Sequence, residues 1–276
     1  MDDIRTESIE SRRLLAFFAI AFSFTWFFWL PRPLSQMGLI PVSPLTELGF
    51  IGAFGPLVAA ILVTVAYEGG TGVRALLLRA VDARFAKRWW LAVLILMPAV
   101  VLAALLLATL TDGAVPASPV QNEVWMVIPI FFSVLFLSGP FEEEFGWRGY
   151  ALPRLQARYS ALVSSIILGF FWAIWHIPQF FTTPTGMFYK TPVLTFIPTV
   201  VAATVLFTWV YNNTNGSLLA MLLLHTTFNL SMYVSAVLDT SLGYVYVLGV
   251  FVVAAVVVTV VAGPRELRQQ SKDTSR

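Results

Sequence analysis

Eight apolar runs dominate this chain, near 14–31, 47–67, 89–110, 124–141, 160–180, 191–211, 216–237 and 243–262. A hydrocarbon core about 30 Å thick takes roughly 20 apolar residues of helix per crossing. The expected fold is therefore all-α: a polytopic membrane helix bundle of about eight transmembrane helices. Composition agrees, with 58% hydrophobic and 12% charged residues where soluble domains run near 45–50% and about 25%. So little charge cannot cover the outside of a water-soluble fold. Soluble, disordered and nucleic-acid-binding classes are excluded, and the lipid bilayer is the expected surrounding. The chain has no cysteine, hence no disulfide, thiol nucleophile or Cys-ligated metal. The first run is not read as a cleavable signal: Asp2, Asp3, Arg5, Glu7 and Glu10 flank it, and no small-residue cleavage site follows Leu30.

Between the second and third runs, Val73, Leu76, Leu77, Val81 and Phe85 alternate with Arg74, Arg79, Arg84, Lys87 and Arg88. That pattern predicts a basic amphipathic segment over 71–88 lying on the membrane surface. Positive charge then sets the orientation. Arg5, Arg12 and Arg13, the 74–88 stretch, Arg148, Arg154 and Arg158, and Arg265, Arg268, Lys272 and Arg276 all fall on one side of an eight-span bundle. Only Arg32 and Lys190 fall on the other. Both termini are expected to be cytoplasmic.

Against this background the exceptions stand out, because ionisable groups are costly in lipid. Glu142, Glu143 and Glu144 follow an apolar run directly, with Arg148 close behind, and both histidines of the chain, His176 and His225, lie inside expected spans. Residues four apart share a helix face. Glu144 can therefore pair with Arg148, while Glu143 points about 100° away and stays available for chemistry. Trp172 shares a face with His176, and His225 with Asn229. Each feature alone has an ordinary reading: interface glutamates, or histidines satisfied between packed helices. Their coincidence within 142–229 favours one buried site. Simple threading places Glu143, His176 and His225 at different depths, so Gly139, Pro140, Gly146, Gly149 and Pro153 are expected to break or bend the fourth span.

A carboxylate, two imidazoles and a carboxamide suit hydrolysis by an activated water. Glu143, assisted by His176, can act as general base, and His225 and Asn229 can donate to the oxyanion formed at a peptide carbonyl. The rival arrangement makes Glu143, His176 and His225 zinc ligands. H-E-x-x-H is absent, however, and neither histidine has the other at helical spacing. Asp112 and Asp239 sit in expected loops, so no intramembrane aspartate pair forms, and no Gly-x-Ser-Gly motif occurs.

Three motifs then carry a family resemblance. Glu143-Glu144-Phe145-Gly146-Trp147-Arg148 resembles the EExxxR motif of the type II CAAX prenyl endopeptidases and their bacterial relatives, the CPBP (or Abi) family. Trp172-Ala173-Ile174-Trp175-His176 resembles the second motif, with Trp172 where Phe is commonest, and His225-Thr226-Thr227-Phe228-Asn229 the third, HxxxN. The resemblance covers roughly 123–236, leaving 1–122 as three N-terminal helices and 237–276 as a last helix with a basic tail. It implies an intramembrane peptidase in which Glu143 and His176 activate water, His225 and Asn229 form the oxyanion hole, and Glu144, Arg148 and Trp172 give support. Members are commonly labelled metalloproteases, yet the CAAX enzymes are similar to a glutamate-dependent hydrolase needing no metal; the metal-free form is expected here, with zinc as the alternative. The implied substrate is a membrane-associated protein or peptide, processed at a CAAX-type C-terminus. The implied location is the plasma membrane of a prokaryote. Bacteriocin immunity or peptide maturation is the alternative role within the family, and a membrane scaffold or a transporter using a proton relay the alternatives outside it.

Overall fold

A computed structural model describes residues 2–183, 188–189 and 191–269, with side chains from Ile9 onward. The side chains of Asp2, Asp3, Arg5 and Glu7, and residues Lys190, Lys272 and Arg276, lie outside the described residues. Among the described residues the regular elements are all helices, with no strand. Eight helical segments are long and apolar enough to cross a membrane: Ile9–Gln36, Gly55–Val81, Arg88–Asp112, Val124–Gln156, Ala161–Phe181, Val193–Asn213, Leu218–Ser235 and Gly243–Ala262. Leu91, Leu102, Phe132, Leu194 and Val260 project outward, a surface that only lipid or an apolar partner covers without cost.

The principal helices are α1 (Asp2–Trp29), α2 (Gly55–Leu78), α3 (Arg88–Asp112), α4 (Val127–Leu137), α5 (Pro140–Gly146), α6 (Ala161–Trp175), α7 (Val193–Asn213), α8 (Leu218–Ser235) and α9 (Gly243–Ala262). Helix α1 packs on α2, α6 on α7, α7 on α9, and α8 on α3. The short α5 is held between α2 and α8. Gly146 permits this approach: a β-carbon there would stand 2.5 Å from the backbone oxygen of Pro56, closer than any side chain allows. Helices α6 and α8 begin at serine caps, Ser160 accepting from the Val163 amide at 3.3 Å and Ser217 from that of Ala220 at 3.2 Å.

The helix over 71–88 is not continuous. Residues to Leu78 continue α2 after a break at Gly69 (φ 65°), and a single 3-10 turn covers Arg79–Val81. Leu76 and Phe85 are buried. Arg79 turns inward, donating to the carbonyls of Gly149 (2.9 Å) and Gly216 (2.8 Å) and to the Tyr211 hydroxyl (2.7 Å). Free backbone acceptors elsewhere in the chain thus draw in a residue whose own neighbourhood marks it for the surface. The basic tail likewise begins packed: Leu267 is buried, and the carbonyls of Arg265 and Leu267 accept from the Ala161 amide and the Asn213 side chain.

Candidate active site

The fourth span breaks where the glycine and proline stand. Helix α4 ends at Leu137, Ser138 leaves helical geometry, and Gly139 takes φ +111°, a conformation that glycine adopts without a β-carbon penalty. Pro140 then occupies the first turn of α5, where its missing N–H costs nothing. The Glu142 carboxylate reaches back to accept from the Gly139 amide at 2.8 Å, capping the new helix. After α5 the chain runs through a π turn, Trp147–Ala151, a form concentrated at functional sites. The break and this turn let one membrane segment, 124–156, present its carboxylates inward.

Glu142, Glu143, Glu144 and Arg148 are all buried, Glu144 and Arg148 completely. Their partners differ by helix face. On one face Arg148 Nη1 donates to Glu144 Oε1 at 2.8 Å, as the four-residue spacing predicts, and the same oxygen meets His225 Nδ1 at 2.7 Å. The guanidinium lies between the rings of Trp172 and Phe207, 4.1 and 4.3 Å from their centroids. Such aromatic faces favour a desolvated cation. On the other face Glu143 Oε2 accepts from the indole N–H of Trp147, at 3.2 Å, and from that of Trp172. The aromatic of the second motif is therefore more than a packing residue: a phenylalanine at position 172 would have no N–H to give.

His225 and Asn229 project from α8. The His225 ring lies edge-on to Trp172, with centroids 5.4 Å apart, and Asn229 Nδ2 donates to the carbonyl of Ser138 at 2.9 Å. Both converge on the chain break. A β-carbon on Gly139 would stand 2.8 Å from Glu143 Oε1, 3.3 Å from Asn229 Nδ2 and 3.5 Å from His225 Cε1. Glu143 and the His225–Asn229 pair, far apart in the chain, thus face one point in space.

His176 joins less directly. It caps the C-terminus of α6, where its Nδ1 bonds the Trp172 carbonyl at 2.8 Å. A carbonyl only accepts, so Nδ1 carries the proton and a neutral ring keeps its lone pair on Nε2. The rings of Trp29, Trp172, Trp175, Phe188 and Phe196 surround it. Trp172 is the link: its carbonyl holds His176, its N–H holds Glu143 and its face borders His225.

Among the described residues, no group of three or more His, Asp or Glu side chains gathers to hold a metal ion. The set Glu143, His176 and His225 does not form one. Their observed partners are two indole N–H groups, a backbone carbonyl and the Glu144 carboxylate.

Sequence reasoning passed over Trp147 and Gly139 as partners of Glu143 and missed Phe207. Trp147 was within reach, since it follows Glu143 by four residues. Phe207 had no local signal.

Residues 124–231 match the family described as Type II CAAX prenyl endopeptidase Rce1-like. Over 175 residues the chain is 31% identical to CAAX prenyl protease 2 of Methanococcus maripaludis, an alignment covering 60% of this chain. It spans 63% of the length of that curated relative.

Proposed function

We propose, from the match of residues 124–231 to the Rce1-like type II CAAX prenyl endopeptidase family, that this multi-pass membrane protein is an endopeptidase that cuts a membrane-associated protein or peptide with a water activated by Glu143. The observation that carries this reading is the convergence of Glu143, Asn229 and His225 on the chain break at Gly139. The carboxylate of Glu143 takes a proton from water, and His176 Nε2 accepts the other hydrogen to orient it. The hydroxide oxygen bonds to the peptide carbonyl carbon, whose π pair moves onto oxygen. Asn229 Nδ2 has two hydrogens, one given to Ser138 and one left for the oxyanion. His225 gives its Nδ1 hydrogen to the Glu144 oxygen that Arg148 also pairs, so Nε2 donates to the oxyanion only when the ring takes up a second proton. The tetrahedral centre collapses, the C–N bond breaks, and the proton held by Glu143 passes to the leaving amine. Water is consumed; an acid and an amine are released.

No step here calls on zinc. Glu144 and Arg148 hold His225 in place, and Trp172 holds Glu143. The substrate class follows the relative's name, so CAAX-type C-terminal processing in a prokaryotic plasma membrane is the specific form proposed.

The test is incubation of the detergent-purified protein with a peptide library that includes prenylated CAAX sequences, with and without a chelator, and identification of products by mass spectrometry. New termini at a defined bond, formed equally with chelator, are the expected result. Cleavage abolished by chelator overturns the metal-free step. No cleavage of any peptide overturns the hydrolase reading.

A further inference from the structure

The two oxygens of Glu143 have different surroundings. Oε2 accepts two indole N–H groups, from Trp147 within its own helix and from Trp172 on α6. A carboxylate oxygen offers two lone pairs, so both of Oε2's are engaged. Oε1 lies on the opposite side, toward the α-carbon of Gly139, with Asn229 Nδ2 and His225 Cε1 around the same point. His225 Nδ1 faces Glu144, which leaves Nε2, bonded to that same Cε1, on the other side of the ring.

We infer that Glu143 Oε1 is the atom that takes the proton from water, that Trp147 and Trp172 are positioning residues clamping Oε2, and that the missing side chain of Gly139 lets the chain break approach Oε1 this closely. The inference rests on the hydrolysis proposed above and assigns its atoms. The water proton goes to Oε1, the oxygen pair to the carbonyl carbon and the carbonyl π pair to its oxygen. When the C–N bond breaks, Oε1 returns the proton to nitrogen. With Oε2 fixed at two points the carboxylate cannot rotate, so Oε1 keeps its aim. Tryptophan at position 172 in place of phenylalanine is, in this chain, part of how the base is held.

The test uses the peptide that wild type cleaves fastest, with Trp147→Phe, Trp172→Phe and the double variant. Each ring stays and each N–H goes. The expectation is a fall in kcat of about tenfold for each single change and about 100-fold for the double, since small misplacements of a reacting group carry costs of this size. KM stays within about twofold, because ground-state binding is untouched. A second readout needs no turnover. In protein labelled with 15N-tryptophan, Glu143→Gln shifts two of the nine indole signals, the same two that vanish in Trp147→Phe and Trp172→Phe. Gly139→Ala drives a methyl against Glu143 Oε1 and abolishes cleavage. Its strained φ also burdens folding, so the tryptophan variants carry the decision. A wild type that cuts while both tryptophan variants run at full rate overturns this assignment alone, as do indole signals indifferent to Glu143→Gln. A wild type that cuts nothing overturns the hydrolase reading and this assignment with it.

Discussion

The two faces of the short helix α5 carry adjacent carboxylates with opposite surroundings. Around Glu144 the region is closed: a guanidinium and an imidazole converge on one oxygen, and two aromatic rings cover the cation. Around Glu143 one oxygen is clamped by two indoles and the other faces the chain break at Gly139. Both side chains are buried, so burial alone does not separate structure from chemistry. What separates them is the partners: one oxygen of Glu144 meets a guanidinium and an imidazole while the other has no hydrogen-bond partner, whereas Glu143 meets two indoles and lies beside Asn229 and His225 at the chain break. A rotation of about 100° along one helix divides a support cluster from a candidate base.

The comparison breaks or sharpens under substitution. Glu143→Gln keeps shape and hydrogen-bonding capacity but cannot act as a base. Cleavage should fall about 10³–10⁴-fold with little change in the thermal midpoint, read by peptide assay and melting of the same preparation. Glu144→Ala should do the reverse at first, striking stability: it strands a fully buried Arg148, a loss of about 3–5 kcal/mol, visible as a large fall in the detergent melting midpoint. If Glu144→Ala melts like wild type, the closed cluster is not the support described. His225→Ala and Asn229→Ala each remove one proposed oxyanion donor and should lower kcat by about 10²–10³-fold, with KM nearly unchanged.

The smallest effect belongs to an exposed pair outside the spans. Asp82 bonds the Arg84 guanidinium at 2.9 Å, and that bond holds its carboxyl down to about 2. A depressed value of this kind contributes stability above the ordinary carboxylate range and loses it as pH falls toward 2. In a pair this exposed, solvent screens the gain. Asp82→Asn should leave both cleavage and melting at pH 7 unchanged, and a clear loss would mean that the loop bears on the site.

Much of this arrangement was legible in sequence, but only where the signal was local. The eight spans follow from apolar runs that must match a bilayer, and the described residues include eight segments of that kind. The Glu144–Arg148 pair follows from helical spacing. The break at Gly139-Pro140 follows from residue type, though its exact geometry, which turns Glu143 Oε1 toward α8, does not. His225 meets Glu144 across 81 residues of chain and Trp172 meets Glu143 across 29; no periodicity encodes such meetings. Arg79 makes the same point from the other side. Its charge pattern suits a surface helix, yet distant carbonyls at Gly149 and Gly216 draw it in. Charge patterning reads a residue's neighbours along the chain, whereas burial is decided by neighbours in space.

The central claim is that the Glu143 face of α5 does chemistry. The most direct measurement is the cleavage rate of wild type against Glu143→Gln, purified identically and matched by melting midpoint. The account predicts a wild type that cuts a peptide at one defined bond and a variant that folds equally well and does not cut. A variant that cuts at the wild-type rate would contradict it.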